Sequence, residues 1–426
     1  MRVAIVGGGV VGLCVAESLV RSGAEVTVLE AAAFGAAASA GNAGWITPSH
    51  AAPLPTPGTM PQAIRWMFNP GSPLLVRPQL RGGYLRWLFD FARNTRPRPY
   101  SAGLAAMVAL AERAIPDYEA LAERCSFEMH AAGLLYVGSS EAALKKEMTL
   151  HREQQMLGYR GSFTEMDREQ ALAHEPALNG EVRGAILAVD DRHVRPETLT
   201  RGLAEHLGEA GADLRDQTAV TGVRADDGGW LVECGGDAVR VDRVVLASGV
   251  ATAKLLAPHG VRLPLEGAKG YSITVEEPRA APRGPIYLLE SKVGISPYEG
   301  ALRLAGTLEL GSRGLALSRS RVASIERAGE RSLRDWGDHG KKHTWAGFRP
   351  LLPDGLPAIG PVPGKEGLFV ATGHAMLGVT LAPATAEVLA PVVLDEKPSL
   401  ELAPFSIARF DNRGGGAIGQ PNGGDK

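Results

Sequence analysis

Arg2-Val3-Ala4-Ile5-Val6-Gly7-Gly8-Gly9-Val10-Val11-Gly12 is the stretch on which the reading of this chain turns. Val3 to Val6 is an apolar run of strand length that stops at glycine, and Val10 to Ser22 continues as a helix. Between them the glycines satisfy G-x-G-x-x-G. Gly7 allows the tight turn, Gly9 lets the backbone approach a pyrophosphate, and Gly12 lets the helix pack on the strand. The first amides of the helix, at Val10 and Val11, then meet the anion at the positive end of the helix dipole. A second strand, Glu25 to Glu30, closes a βαβ start. Glu30 lies 18 residues after Gly12, where a carboxylate accepts hydrogen bonds from an adenosine ribose. This predicts a dinucleotide with an ADP half, which FAD and NAD share.

The rest of the chain decides between them. A separate NAD site needs another glycine fingerprint, and none follows. Two later strand ends, at Ser248-Gly249 and Thr372-Gly373, read as glycine contacts made by a chain returning to one long cofactor. A dinucleotide contacted from both ends of the sequence is what FAD requires. The 426 residues suggest two to three domains at ~150 residues each. With 45% hydrophobic and 22% charged residues, disorder throughout is excluded. A net charge of -2 leaves no global basic field for nucleic acid. Cys14, Cys125 and Cys234 are too scattered for a CxxC pair, which points to a reducing, cytoplasmic setting with no metal site. Val3 to Val6 is too short for a signal-peptide core. Leu368 to Ala386 lacks charge and imitates a membrane span, but its glycines, proline and threonines read better as strand, turn and helix start.

Along the chain, an Ala/Gly/Ser/Pro-rich segment from Ala31 to about Pro61 winds over something else. Helices dominate to about residue 157, including Leu104 to Arg124 and Glu141 to Leu157. A second α/β passage starts near Ala185, with a helix from Glu197 to Ala210. Several turn-broken strands follow it, and Arg321 to Trp336 is read as a helix. The predicted fold class is α/β and α+β: a Rossmann-like FAD-binding domain interleaved with a substrate domain of mainly antiparallel sheet plus helices. The FAD-binding parts are 1–60, 185–262 and 345–411; the substrate parts are 61–184 and 263–344; 412–426 is a Gly-rich mobile tail.

The sequence resembles the FAD-dependent D-amino-acid dehydrogenases, within the wider family of D-amino-acid oxidases, glycine oxidase and sarcosine oxidase. The likeness runs from Met1 to about Phe410. It is carried by Gly7, Gly9, Gly12 and Glu30, by Ala38-Ser39-Ala40-Gly41-Asn42-Ala43-Gly44, and by Lys269-Gly270-Tyr271-Ser272. Trp345-Ala346-Gly347-Phe348-Arg349-Pro350, Pro353 to Gly360, and Thr372-Gly373-His374 with Gly378 complete it. The resemblance implies that Ser39, Asn42, Ala43 and Gly44 run beside the flavin, with Trp45 and Ile46 continuing that wall. Val220 would meet the adenine. Gly373, Leu377, Gly378, Val379 and Thr380 would close over the isoalloxazine, with a helix start aimed at it. The family's covalent members use a cysteine near the Arg-Pro motif; this stretch has none, so FAD is expected to be noncovalent.

The implied reaction is oxidation of a D-amino acid to the 2-oxo acid and ammonia, by hydride transfer from Cα to flavin N5, with electrons passing to quinone or another acceptor. Relatives that act on D-proline, D-hydroxyproline or other N-substituted amino acids, and oxygen-reducing oxidases, are the alternatives. Arg349 is the expected carboxylate ligand, since a planar guanidinium makes two parallel hydrogen bonds. Glycine oxidase looks to have a further arginine near the position of Met376, so its absence points to a larger or more apolar substrate side chain. Tyr271 and Tyr298 are the other candidate catalytic residues, lining the pocket or bonding the carboxylate. His50, His193 and His374 are read as packing or hydrogen-bonding residues. Between Gln62 and Tyr100, Trp66, Met67, Phe68, Trp87, Leu88, Phe89 and Phe91 alternate with seven arginines. The segment reads either as an inward-packed helical flap or as a peripheral contact with the inner face of a membrane.

Overall fold

The computed structural model describes residues 1–58, 72–337 and 340–411. Two sheets organise them. The first has six strands in the order Asp213–Arg215, Glu25–Leu29, Arg2–Val6, Arg243–Leu246, Leu368–Thr372 and Ala358–Pro361. All neighbours are parallel except the last pair. Its strands come from the start, middle and end of the chain, the interleaving expected of the FAD-binding domain. Helices Val10–Arg21 and Gly378–Val393 bury apolar faces in one core with Leu199, Leu203 and Leu207 of helix Pro196–Glu209. Val3, Ile5, Leu13 and Leu389 in that core have no exposed surface, as continuous apolar strands covered by helices demand.

The second sheet has nine strands and is mainly antiparallel. From one edge it runs Lys342–Leu351, Glu266–Glu276, Ala301–Leu310, Val293–Tyr298 and Ile286–Leu288, then Leu134–Gly138, Gly184–Ala188 and Phe163–Asp167; Leu74–Val76 pairs with the end of Ala301–Leu310. Helix Arg319–Ser332 covers part of one face through Ile325 and Ala328, which pack with Ile273, Leu302 and Leu304. A three-stranded antiparallel sheet spans Val220–Asp226, Gly229–Cys234 and Asp237–Val241.

Some expected elements come out differently. The helix read over Leu104 to Arg124 is two helices, Pro97–Ala111 and Ala114–Ala122. Pro116 has no N–H to donate to the Glu112 carbonyl, so one helix stops there and another starts. Three strands, Leu134–Gly138, Phe163–Asp167 and Gly184–Ala188, lie in or beside the region read as helical. Leu134–Gly138 is buried on both faces and therefore shows no alternation. The strand Lys342–Leu351 runs across the expected boundary at 344/345, with Pro350 tolerated because the strand lies at the sheet edge. Leu368–Thr372 is a strand, Gly373 turns at φ +80°, and Gly378–Val393 is a helix. Among the described residues no helix is long and apolar enough to cross a membrane.

Of the Trp/Arg segment, Arg65, Trp66, Met67 and Phe68 lie outside the described residues, as does the tail from Asn412. Helix Gly82–Asn94 buries Trp87 and Phe91, stacked with centroids 5.3 Å apart, against Ala268, Leu310 and Leu351. Its other side faces outward: Phe89 is 63% and Leu85 51% exposed. Trp87→Ala is expected to cost about 3–5 kcal/mol, whereas Phe89→Ser should stay within about 0.5 kcal/mol. Denaturant midpoints of the two variants check this, and equal losses would contradict the inward orientation of Trp87.

Candidate active site

A cavity of about 760 Å³ opens along the C-terminal ends of the first sheet's parallel strands and continues to the edge of the second sheet. Its first end is made by the glycine turn. Gly7 has φ +113°, and a Cβ there would lie 2.6 Å from the Ala247 carbonyl oxygen. A Cβ on Gly12 would come within 1.9 Å of the Gly7 oxygen, so this glycine serves helix–strand packing and does not line the cavity. Gly7, Gly9, Val10, Val11, Glu30 and Ser39 do line it. The Val10 amide donates to Ser39 Oγ at 3.0 Å. Glu30 accepts from the amides of Gly8 at 2.7 Å and Ala32 at 3.0 Å, which fixes its carboxylate at the turn. Asn42, Val220, Ser248, Gly249, Gly378 and Val379 also line the cavity, so segments far apart in the chain converge on one elongated space. A glycine turn at a helix start, a fixed carboxylate and a second helix start at Gly378 fit an FAD molecule.

The remaining expected cofactor residues form the wall behind this lining. The Ala43 carbonyl accepts from Ser296 Oγ at 2.7 Å and from Tyr298 OH at 2.8 Å. Gly44, at φ +68°, donates to Asn42 Oδ1 at 2.6 Å, and its carbonyl accepts from Val194 N at 2.7 Å. Trp45 lays its indole over Gly294 and donates to Ser296 Oγ at 2.8 Å. Ile46 is fully buried. Thr380 donates to the Trp45 carbonyl at 2.8 Å, tying this strap to the helix that starts at Gly378. Leu377 caps that helix, and Gly373 packs against Leu352.

Arg349 lies at the second end of the cavity, opposite Ala268 in the edge pairing. Its guanidinium crosses Gly270, where a Cβ would sit 1.1 Å from Nη1. Among the described residues the guanidinium has no acidic partner, and Nη1 is buried without an acceptor. Burial pulls its pKa down to about 10, so it stays a cation at neutral pH. Trp345, Met376 and Leu315 also line the cavity, the last two 45% and 51% exposed. His374 bonds Thr385 Oγ1 at 3.0 Å, and burial pushes its pKa to about 3, leaving it neutral.

The two tyrosines expected to contact substrate have their hydroxyls bonded to protein groups. Tyr271 OH donates to Glu309 Oε2 at 2.9 Å, a carboxylate that also pairs with Arg77. Tyr298 OH is engaged with Ala43. Neither lines the cavity. The sequence reading also missed Arg303, 4% exposed, which donates to the carbonyls of Ala40 at 2.9 Å and Asn42 at 3.0 Å and pairs with Glu197. An arginine between Leu302 and Leu304 in an apolar strand was the available signal. His193 bonds the Pro297 carbonyl at 2.8 Å. Ser49, next to His50, donates to Asp191, and its Oγ lies 2.6 Å from Tyr136 OH.

Comparison with known proteins places this geometry. The model of the family described as FAD dependent oxidoreductase matches residues 2–391. A D-amino acid dehydrogenase from Xanthobacter autotrophicus is 33% identical, covering 96% of this chain and 99% of the relative. One from Cereibacter sphaeroides is 32% identical, covering 96% and 95%. Glycine oxidase from Geobacillus kaustophilus superposes with a TM-score of 0.75 at 26% identity, covering 96% of this chain and 99% of that one. L-proline dehydrogenase from P. horikoshii shares the fold, with a TM-score of 0.71 at 19% identity over 96% and 97%.

Asp191, fully buried beneath the 45–50 strap, has its pKa pushed up to about 8 by desolvation. The unfolded chain releases this proton near pH 4, at about the usual carboxyl value. The folded state therefore binds more protons between the two values, and stability falls as pH rises through that window. Asp191→Asn should flatten the decline. Denaturant midpoints at pH 5 and pH 8 test it; parallel pH profiles for the two proteins would show that Asp191 is already ionised when folded.

Proposed function

The chain belongs to the FAD dependent oxidoreductase family, and from that premise we propose that it oxidises a D-amino acid to the 2-oxo acid and ammonia. The observation that carries this reading is Arg349: an unpaired, desolvated guanidinium at one end of a dinucleotide cavity. FAD, when bound, supplies the two-electron acceptor for the hydride leaving the carbon that bears the amine. Arg349 binds the substrate carboxylate through two parallel hydrogen bonds and so fixes which face of Cα is presented. The lining holds one carboxylate, Glu30, already engaged by two backbone amides. Among the described residues no carboxylate of the lining is free to pair with an ammonium, which supports binding of the substrate with its amine neutral. No side-chain base is required at Cα, and His374 stays neutral beside the site. Cys14, Cys125 and Cys234 are buried outside the lining, which supports noncovalent FAD. Trp345, Met376 and Leu315 make an apolar wall that suits an uncharged side chain. The D configuration rests on the names of the curated relatives.

For the acceptor, quinone at a membrane surface is the reading that the outer surface supports. Leu80, Leu85 and Phe89 are exposed on and beside helix Gly82–Asn94. Gln79 bonds Gly311 and Arg313, which holds this region next to the loop carrying exposed Leu315 and Leu317. Leu315 lines the cavity, so the apolar rim reaches its mouth. Arg81, Arg86 and Arg93 flank it, the composition of an interfacial surface.

Arg349→Ala should lower kcat/KM for D-substrates by about 3–5 kcal/mol, roughly two to four orders of magnitude. Arg349→Lys should recover only part, because an ammonium cannot make the paired bonds. FAD content should not change in either. Near-normal kcat/KM in the alanine variant would sink the assignment. Anaerobic flavin bleaching by D-, L- and N-alkyl amino acids separates the D-amino-acid reading from one on cyclic amines, and peroxide release would mark an oxidase. For the acceptor, retention on phosphatidylglycerol vesicles should be lost in Leu85→Asp/Phe89→Asp while turnover with a water-soluble acceptor persists. Unchanged retention would refute membrane contact through this rim.

A further inference from the structure

A second concave site lies apart from the dinucleotide cavity and shares none of its lining residues. It encloses about 420 Å³ where helix Gly82–Asn94, the turn around Arg96, residues 262–264, the loop at Pro353-Asp354 and the chain near Arg409 meet. Five arginines and two aspartates line it, an excess of three positive charges.

The partners show which charges are spent. Arg409 is fully used: it pairs with Asp354 at 2.6 Å and donates to the carbonyls of Phe405, Ser406, Leu356 and Pro357. Arg86 faces Asp90 loosely at 3.8 Å. Arg93, Arg96 and Arg262 have no acidic partner among the described residues. Arg262 enters from a segment more than 160 residues further along the chain than Arg96, so the convergence is made by the fold and not by a local basic run. Like charges gathered in one cleft repel one another, and an anion bound between them removes that cost. Planar guanidiniums fit oxygen anions that accept paired hydrogen bonds, above all phosphates.

We propose that this cleft binds a phosphate-bearing anion. The chemistry is the same whether the phosphate belongs to a soluble metabolite or to a lipid headgroup. The site is independent of the substrate assignment, because its lining includes neither Arg349 nor any residue of the glycine turn. Asn94 Nδ2 donates to the Pro353 carbonyl at 3.4 Å, so the cleft borders the loop that follows the Arg349 strand.

The test uses FAD-loaded enzyme, so that the cofactor's own pyrophosphate cradle is filled, and titrates inorganic pyrophosphate by calorimetry. One saturable site is expected, weakening as salt is added. Arg93→Gln/Arg262→Gln should weaken it at least tenfold with an unchanged flavin spectrum. In the second arm, phosphatidylglycerol and phosphatidylcholine vesicles are compared with Arg262→Gln, a position off the Leu85/Phe89 helix. Retention on phosphatidylglycerol that Arg262→Gln reduces, and that pyrophosphate displaces, identifies a headgroup. Pyrophosphate binding with vesicle retention insensitive to Arg262→Gln identifies a free anion. Equal binding by wild type and the double variant, or no saturable binding of pyrophosphate and no Arg262-dependent retention, overturns the proposal. Loss of retention in Leu85→Asp/Phe89→Asp bears on the membrane reading alone.

Discussion

Arg303 is the cation on which the junction of the two sheets depends. It is the third residue of strand Ala301–Leu310, flanked by Leu302 and Leu304, and its guanidinium reaches beyond that sheet. It reaches the carbonyls of Ala40 and Asn42 in the strap and the carboxylate of Glu197 on helix Pro196–Glu209, which packs against the first sheet's core. The Arg303 guanidinium is buried whereas Glu197 is partly exposed, so the bonds to the two carbonyls, more than the screened ion pair, are what removing Arg303 would cost. Tyr298 and Ser296, on the neighbouring strand, reach the same strap at Ala43. Together these bonds hold irregular backbone that has too few apolar side chains to hold itself. The strap's position beside the cavity is therefore set by the substrate sheet.

Features that depend on local backbone geometry were readable in the sequence. The glycine turn, Glu30 and the strand-turn-helix at Leu368 to Val393 follow from residue type and spacing, and the structure has them where the pattern puts them. Features set by a distant partner were not. Tyr271 looks like any sheet tyrosine until Glu309 is placed beside its hydroxyl. Leu134–Gly138 carries no alternation because both of its faces are covered, and burial is a property of the assembled sheet. Arg349 could be assigned through the family likeness. That it has no counter-ion among the described residues depends on where their acidic side chains lie, and no motif encodes that.

Burial also simplifies the electrostatics of the site. His50, His193 and His374 are each held well below the usual imidazole range by desolvation. None of them adds charge near neutral pH. At the Arg349 end of the lining the fixed positive charge is therefore Arg349 itself; Lys254 belongs with the segment after Gly249. A single cation against apolar neighbours selects for one carboxylate and penalises a second, which would have to be desolvated without a partner.

Gly270 has a consequence for how this site can be rebuilt. The guanidinium of Arg349 occupies the volume in which a side chain at 270 would stand. The two positions, on adjacent strands, thus share one space, and a side chain at 270 would displace the guanidinium from where it stands. Shortening residue 349 would open room at 270, and the recognising group could then be supplied from the neighbouring strand. The proposed carboxylate recognition at Arg349 is thus a two-position unit, and a redesign has to vary residues 270 and 349 together.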